Sequence, residues 1–322
     1  MEDPEFWPEE IFSNHPVFFN QDNQAIILVG TEFIPLNIRI LKTTISKEIR
    51  LILLENGHLW QIKLRGEPPR RLNVNFKIVD FISLTIAFLI LDENGTLYRI
   101  DEGRPEVVKQ NVLSIPSSSN STSIVLNVPN GVSYTYVFTG SRGYRKLKIP
   151  YVKSYVQSRK FLVMVTETEQ VFMMVQRHDN IEGFWLNERE VYDESELLPE
   201  SKGDSLLLHL TSLDGVRNIA GGSAIFPGDQ FGIYKRYLAY LMPNGELAYS
   251  YYDNDGNHRG TYNDTNFTDL ISINSNIYLQ NSDGQIFCYR GPVTDEIQVL
   301  NNPEPLSLHR REIHVPIKSA RI

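Results

Sequence analysis

The stretch DNDGN, Asp253 to Asn257, sets three oxygen-bearing side chains at alternate positions, the spacing with which loops hold a hard cation such as calcium. Its glycine stands fourth, where an EF-hand loop needs one sixth, and a polar hairpin turn uses the same residues. The turn is the favoured reading of Asp253, Asp255 and Asn257, with calcium the alternative. In HRREIH, His309 and His314 flank Glu312. Five positions apart on a strand, the two imidazoles fall on opposite faces and make a poor metal pair. GGSAIFPGDQFG, Gly221 to Gly232, is rich in glycine but fits no phosphate-cradling spacing, and it reads as a loop. The nucleotide-binding, zinc-protease and nucleophile-elbow motifs have no match in the sequence. No catalytic residue, cofactor or metal ligand is therefore assigned.

Two charged segments remain. GSRGYRKLKIPY, Gly140 to Tyr151, gathers Arg142, Arg145, Lys146 and Lys148 beside Tyr144 and Tyr151, a combination that can meet phosphates or an acidic surface. An outer strand with solvated charges gives the same pattern, and a net charge of −8 disfavours general nucleic-acid affinity. FWLNEREVYDESELLPESKGD, residues 184–204, mixes carboxylates with bulky apolar side chains. A merely solvated loop has no need of those apolar groups. Packing on its own blade uses them and is the favoured reading; docking a partner also uses them, through Trp185, Tyr192, Glu194, Leu197 and Leu198.

The elements that carry these segments follow from a repeat. Asn-Gly or Asp-Gly recurs between apolar runs in LILLENGHLWQI, AFLILDENGTLYRI, VLNVPNGVSYTYV, HLTSLDGVRNI, YLAYLMPNGELAYSY and YLQNSDGQIFCYR. Each dipeptide supplies the two positive-φ positions of a type I′ turn and marks a hairpin tip. Gly57 and Gly95 are 38 residues apart, Gly95 and Gly131 36, and Gly245 and Gly284 39. Another step of that length from Gly131 lands on Glu169, a tip that has lost its glycine. The next step falls near Leu207, whereas Asp214-Gly215 lies eight positions later. Since the interval from Glu169 to Gly245 is twice the period, the sequence predicts a sixth tip displaced by an acidic insertion.

A hairpin array of fixed period of about 38 residues means a propeller or solenoid. Runs such as LILL and AFLIL are apolar at consecutive positions, so both faces are covered, while HLWQIKL alternates. That mixture suits blades, with inner strands between neighbours and outer strands meeting water. VFFNQDNQAIILV adds a weaker tip near Asp22, giving eight tips with it and seven without. The expectation is an all-β propeller of seven blades, eight being the alternative, formed as a single domain over residues 1–322. LSLHRREIHVPI at the C-terminal end is expected to supply the strand missing from the first blade, joining the ends. PSSSNSTS, Pro116 to Ser123, reads as an inter-strand loop.

With 41% hydrophobic and 22% charged residues the chain has ordinary globular composition, and its longest apolar run is about half of the roughly 20 residues a membrane helix needs. One cysteine, Cys288, allows no internal disulfide, and MEDPEFWPEE does not read as a secretory signal. An intracellular setting, cytoplasmic or nuclear, is expected, or a virion or host cell if the AT-rich flavour of the Asn, Ile and Tyr usage reflects a virus. No membrane partner is expected.

FKIVDFISLTIAFLILDENGTLYRID, Phe76 to Asp101, resembles the repeat of the RCC1 (regulator of chromosome condensation) family: apolar strand, break, second strand, then Asp-x-x-Gly-x-Leu-Tyr. FTDLISINSNIYLQNSDGQIFCYR, Phe267 to Arg290, follows the same order, and IRLILLENGHLWQI carries the second half. The family's Gly-x-x-His and Trp-Gly are missing and the period is short. The resemblance implies an RCC1-like propeller, and no residue matches a motif for nucleotide exchange or chromatin binding. The functional expectation is a non-enzymatic scaffold that binds other proteins, within a larger assembly. Two alternatives stand beside it: an enzyme with a carboxylate-lined funnel of the glycoside hydrolase kind, and a nucleic-acid-associated RCC1-like protein.

Overall fold

The computed structural model describes residues 3–4, 6–46, 49–64, 67–83, 88–100, 105–119, 123–136, 145–157, 161–176, 205–225, 234–253, 256–262, 266–273, 276–291 and 296–309. Seven sheets follow one another along the chain, almost entirely antiparallel. The first is ordered β28–β1–β2–β3, from Leu306–Ser307, Val17–Asn20, Ala25–Val29 and Glu32–Pro35. The second holds β4 to β7 (Ile40–Ser46, Ile49–Leu54, Leu59–Lys63, Arg70–Arg71) and the third β8 to β11 (Ile78–Ser83, Phe88–Asp92, Leu97–Ile100, Glu106–Lys109). The fourth has β13 to β15 (Ser123–Val128, Gly131–Tyr136, Arg145–Leu147). In the fifth, β16 to β19 (Val152–Gln157, Phe161–Thr166, Val171–Gln176, Ser205–His209) are joined by β12 (Ser117–Ser119). The sixth holds β20 to β23 (Asn218–Ile225, Tyr234–Leu241, Leu247–Asp253, Gly256–Tyr262) and the seventh β24 to β27 (Phe267–Ile273, Asn276–Asn281, Ile286–Tyr289, Ile297–Leu300). This is a seven-bladed β-propeller whose C-terminal strand completes the first blade, Phe19 pairing with Ser307 and Asn20 with Leu306.

The chain divides into two compact units. One comprises Met1–Ile115, Asp283–Ile286 and Leu300–Ile322; the other comprises Pro116–Ser282 and Phe287–Val299. In the first, one apolar cluster joins the first and second sheets through Phe19, Ile27, Ile52 and Ile62, and another joins the second and third through Leu51, Leu53, Phe81 and Ile90. The second unit has a larger cluster in which Val163, Val165, Leu238, Leu241, Leu270 and Leu279 meet. Alternate residues of β5 serve different clusters, Ile52 one and Leu51 and Leu53 the other, which is why LILL has no polar face.

The tips lie between the second and third of the four strands of a blade, β12 set aside, and between β13 and β14 of the fourth, and the geometry of most differs from the expected type I′ turn. Leu54 accepts from Gly57 N at 2.9 Å and donates to His58 O at 2.9 Å; Asp92 does the same with Gly95 and Thr96, and Met242 with Gly245 and Glu246. That is a type I turn closed by one left-handed residue, so each of these three tips needs a single positive φ. The glycine supplies it, at +80° in Gly57, +78° in Gly95 and +82° in Gly245. Two tips repeat the hydrogen bonds without glycine, using Asn23 at +59° and Glu169 at +59°. Glu169 is therefore a true tip, as its register predicts. A left-handed glutamate costs about 1–2 kcal/mol, part of which glycine returns as unfolded-state entropy. Glu169→Gly is expected to raise stability by about 0.5–1 kcal/mol, seen as a higher urea midpoint at unchanged slope. A lower midpoint would contradict the assignment.

Asp214-Gly215 is not a tip. It follows a short 3₁₀ turn, Thr211–Leu213, and connects β19 to β20, the last strand of the fifth blade to the first strand of the sixth. Gly215 N donates to Glu169 O at 2.7 Å, just as Val112, Phe267 and Leu306 donate to Gly95, Gly245 and Gly284 at the other tips. The seven blades are thus counted with the N-terminal tip at Asn23 and without Asp214-Gly215. The interval from Glu169 to Gly245 is one blade step enlarged by an insertion, and its equality to two periods is coincidence.

Two further expectations change. Gly221 and Gly222 belong to β20, paired with Leu238 and Tyr237, so the first half of GGSAIFPGDQFG is strand; residues 226–233 lie outside the described set. PSSSNSTS is not all loop, because Ser117–Ser119 pairs in parallel with Ser154–Val156. Its serines offer no apolar face to fill the first position of the fourth blade, and the backbone bonds instead to the first strand of the next. β12 also lies against β20 and β24.

Candidate interaction surface

β18 and β19 pair without a break from Phe172↔His209 to Gln176↔Ser205. Strands that reach their last pair in register need only a tight turn to join them. The chain places residues 177–204 there instead. The acidic insertion is therefore a connection within the fifth blade, ahead of no sixth tip. Trp185, Tyr192, Glu194, Leu197 and Leu198 lie outside the described residues.

The other candidates are placed as follows. Asp253 and Asn257 stand in the two strands of the β22–β23 hairpin, where Tyr252 pairs with Asn257 and Asp253 with Gly256; Asp255 is outside the described residues. β15 is the outer strand of the fourth blade, with Lys146 and Lys148 exposed, as solvated outer-strand charges would be. Residues 140–144 are outside the described set, as are Glu312 and His314.

Several carboxylates of the sheets and their connections hold the fold. Lys42 Nζ reaches Asp80 Oδ1 at 2.6 Å and Phe81 O at 2.9 Å, tying the first strands of the second and third blades. Asn218 Nδ2 donates to Asp269 Oδ1 at 2.8 Å and Leu270 O at 3.1 Å, tying the sixth to the seventh. Both aspartates follow a β-bulge near the start of a first strand, a position that re-aims a side chain toward its neighbour. Asp92 Oδ1 accepts the amides of Asn94 and Thr96 inside its own tip, as Asn20 Oδ1 does for Asp22 and Gln24. Asp214 meets His209 Nε2 at 2.9 Å and the amide of Val171 at 3.3 Å. Among the described residues no three His, Cys, Asp or Glu side chains converge to hold a metal ion. Burial pushes the Cys288 thiol above its ordinary range, although Arg290 opposes the shift, so the thiolate needed for chemistry is disfavoured. Tyr237 is raised as well, by burial and then by Cys288. No helix among the described residues is long and apolar enough to cross a membrane.

The sequence reading missed the N-terminal arm. Asp3 sits where Asn56 Nδ2 at 2.9 Å, His58 Nδ1 at 2.6 Å and Arg71 Nη1 at 2.9 Å converge on its carboxylate. Burial would raise its pKa, but the hydrogen bonds from His58 and Asn56 and the charges of His58 and Arg71 hold it below the ordinary carboxylate range. Trp7 packs on Trp60 with centroids 5.1 Å apart, and Ile11 enters the core of the first two blades. The aromatic and apolar spacing of EFWPEEIF was the available signal.

No protein-family model matches the chain, and no curated sequence matches it. Solved structures do. Prp20p from Saccharomyces cerevisiae is similar over 92% of this chain and 88% of its own, with TM-score 0.56 and 12% identity. AztD from Citrobacter koseri gives 90% and 83%, TM-score 0.52 and 12% identity, and BBS1N gives 88% and 89%, TM-score 0.53 and 13% identity. At such identities the likeness carries the fold, and the chain is a seven-bladed β-propeller similar in architecture to yeast RCC1.

Proposed function

We propose that this propeller is a non-enzymatic scaffold for protein partners, and that residues 184–204 are its docking element. The observation that carries this reading is the continuous register of β18 and β19 up to Gln176↔Ser205. The fold requires no excursion there, yet the chain inserts residues 177–204, with Trp185, Tyr192, Leu197 and Leu198 among clustered carboxylates. Aromatic anchors within a charged surround are what a protein interface concentrates its affinity in. The likeness to propellers that meet proteins supports the same reading: Prp20p is described as binding Gsp1p and histones, and BBS1N is seen in complex with ARL6. The acidic balance of the insertion favours a basic partner surface, and an intracellular setting suits a chain whose one cysteine is buried and free.

Replacing residues 177–204 by Asn-Gly tests this. Partners are first identified by mass spectrometry with the wild-type chain, and their affinities are then measured with the variant. The melting temperature is expected to stay within about 3 °C, because β18 and β19 keep their pairs, while partner affinity falls at least about 30-fold, the scale of one lost hot spot. A Trp185→Ala, Leu197→Ala, Leu198→Ala triple variant should reproduce the loss. Unchanged affinities in a folded variant would remove the insertion from the interface.

A further inference from the structure

Among the described residues, three buried polar side-chain atoms of the second blade lack a hydrogen-bond partner: Thr43 Oγ1, Arg50 Nε and Trp60 Nε1. Register puts them together. Thr43 pairs with Ile52 and Ile52 with Trp60, while Ile45 pairs with Arg50 and Arg50 with Ile62. Paired residues share a face, and so do residues two apart along a strand. Thr43, Arg50 and Trp60 therefore project from one face of the sheet, the face that turns Ile52 and Ile62 into the cluster containing Ile11.

Arg50 is the unusual member. It is fully buried, at 0% exposure, and no carboxylate pairs with it among the described residues. Its Nη2 donates to two backbone carbonyls of the arm, Ser13 O at 2.8 Å and His15 O at 2.6 Å. Burial alone lowers its pKa to about 10. A guanidinium taken out of water without a counter-charge opposes whatever conformation buries it. Here that conformation is the docked arm, since the acceptors on Arg50 belong to the arm. At the other end Asp3 pins the segment through Asn56, His58 and Arg71, and Trp7 and Ile11 add apolar contact between the two ends. Phe6, 83% exposed, contributes little to that hold.

We propose that the segment from Asp3 to Pro16 is a releasable strap, held closed by Asp3, Trp7 and Ile11 and pushed toward release by Arg50, whose guanidinium regains water when the strap opens. Two forces of opposite sign on one short segment keep its closure shallow. A plain anchor would have an apolar residue, or an arginine facing a carboxylate, at position 50.

Amide hydrogen exchange on the full chain separates the two cases, read at Ile11 and Ser13, whose amides are bonded within the arm's 3₁₀ turn. Arg50→Met removes the buried charge and keeps the volume, so exchange at both amides is expected to slow about tenfold. Asp3→Asn weakens the pin and is expected to speed it about tenfold. Amides of β20 and β21 should be unaffected in both variants and report that the fold is intact. Faster or equal exchange in Arg50→Met would make Arg50 an ordinary anchor and overturn the strap. If Arg50→Met does not fold, Asp3→Asn decides alone, and exchange equal to wild type overturns the proposal.

Discussion

Gly131→Ala is expected to destabilise the protein by about 3 kcal/mol or more, lowering its melting temperature by roughly 5–10 °C. The fourth tip is tighter than the others: Val128 pairs directly with Gly131, so only Pro129 and Asn130 form the loop. Gly131 adopts φ +138°, which side chains with a Cβ rarely do, and Asn130 before it is also left-handed at +62°. An added Cβ would stand 2.3 Å from the carbonyl oxygen of Leu147. That oxygen belongs to β15, hydrogen-bonded to β14 next door, and cannot swing aside as a side chain can. Relief requires moving the outer strand or reversing the turn, and each costs more than a strained dihedral alone. Gly57→Ala is the control. Its φ of +80° carries similar strain, but the nearest obstacle, at 2.8 Å, is Cγ of Lys77, the stem of an exposed and flexible side chain. About 1–2 kcal/mol is expected there. Equal losses at the two positions would mean that backbone conformation alone, and not the approach of β15, sets the requirement for glycine at 131.

The contrast between these glycines marks the boundary of what the sequence could say. A left-handed residue at each tip leaves a local trace, Asn-Gly or Asp-Gly between apolar runs, and the spacing of those traces located even Glu169, whose side chain gives no hint of its φ. The count of seven matches only because two errors cancel: it includes Asp214-Gly215 as a tip and leaves out the N-terminal tip at Asn23, while the closing strand at Leu306 is expected from the incomplete first blade. Asp214-Gly215 has the same local trace and a different role, because whether two apolar runs pair with each other is not written in either of them. β19 pairs back to β18 and β20 forward to β21, so the dipeptide between them joins blades. The insertion made this harder to see by stretching one step to the length of two. Ser117–Ser119 failed for a related reason. A strand without apolar residues has no periodicity to read, and its partner, β16, lies beyond the whole of the fourth blade in sequence. Arg50 is the sharpest case. In IRLILL it reads as a charge at the frayed end of a buried strand, whereas its side chain is fully buried and donates to two carbonyls 35 and 37 residues upstream. Of the proposed docking residues, the sequence supplied the composition and the structure supplied the reason to consider it: a hairpin that closes without them.

Leu306→Asp is expected to convert the protein into soluble oligomers or aggregate, because it removes the strand that completes the first blade. β28 is only Leu306–Ser307, and its hold on β1 consists of Phe19↔Ser307 and Asn20↔Leu306. So short a strand depends on what surrounds it. Leu306 is buried at 2% exposure, its amide donates to Gly284 O at 2.8 Å, and Asn302 fastens the approach by donating to Gly284 O and Glu304 O and accepting from Ile286 N. Glu304 in turn accepts from Asn20 Nδ2 at 3.1 Å, so the last tip and the first blade share one small network. A carboxylate at 306 would have to be desolvated without a partner, which costs several kcal/mol, more than two backbone pairs return. The strand is then expected to leave, and β1, whose residues Val17, Phe18 and Phe19 are buried, presents an open apolar edge. An edge of that kind pairs with another copy. Light scattering after size-exclusion chromatography should show mass above the 37.0 kDa of one chain, rising with concentration. Leu306→Val, which keeps the burial and the hydrogen bond, should run with the wild type. A monomeric Leu306→Asp variant with an unchanged melting temperature would show that the first blade holds with three strands and that closure through β28 adds nothing to it.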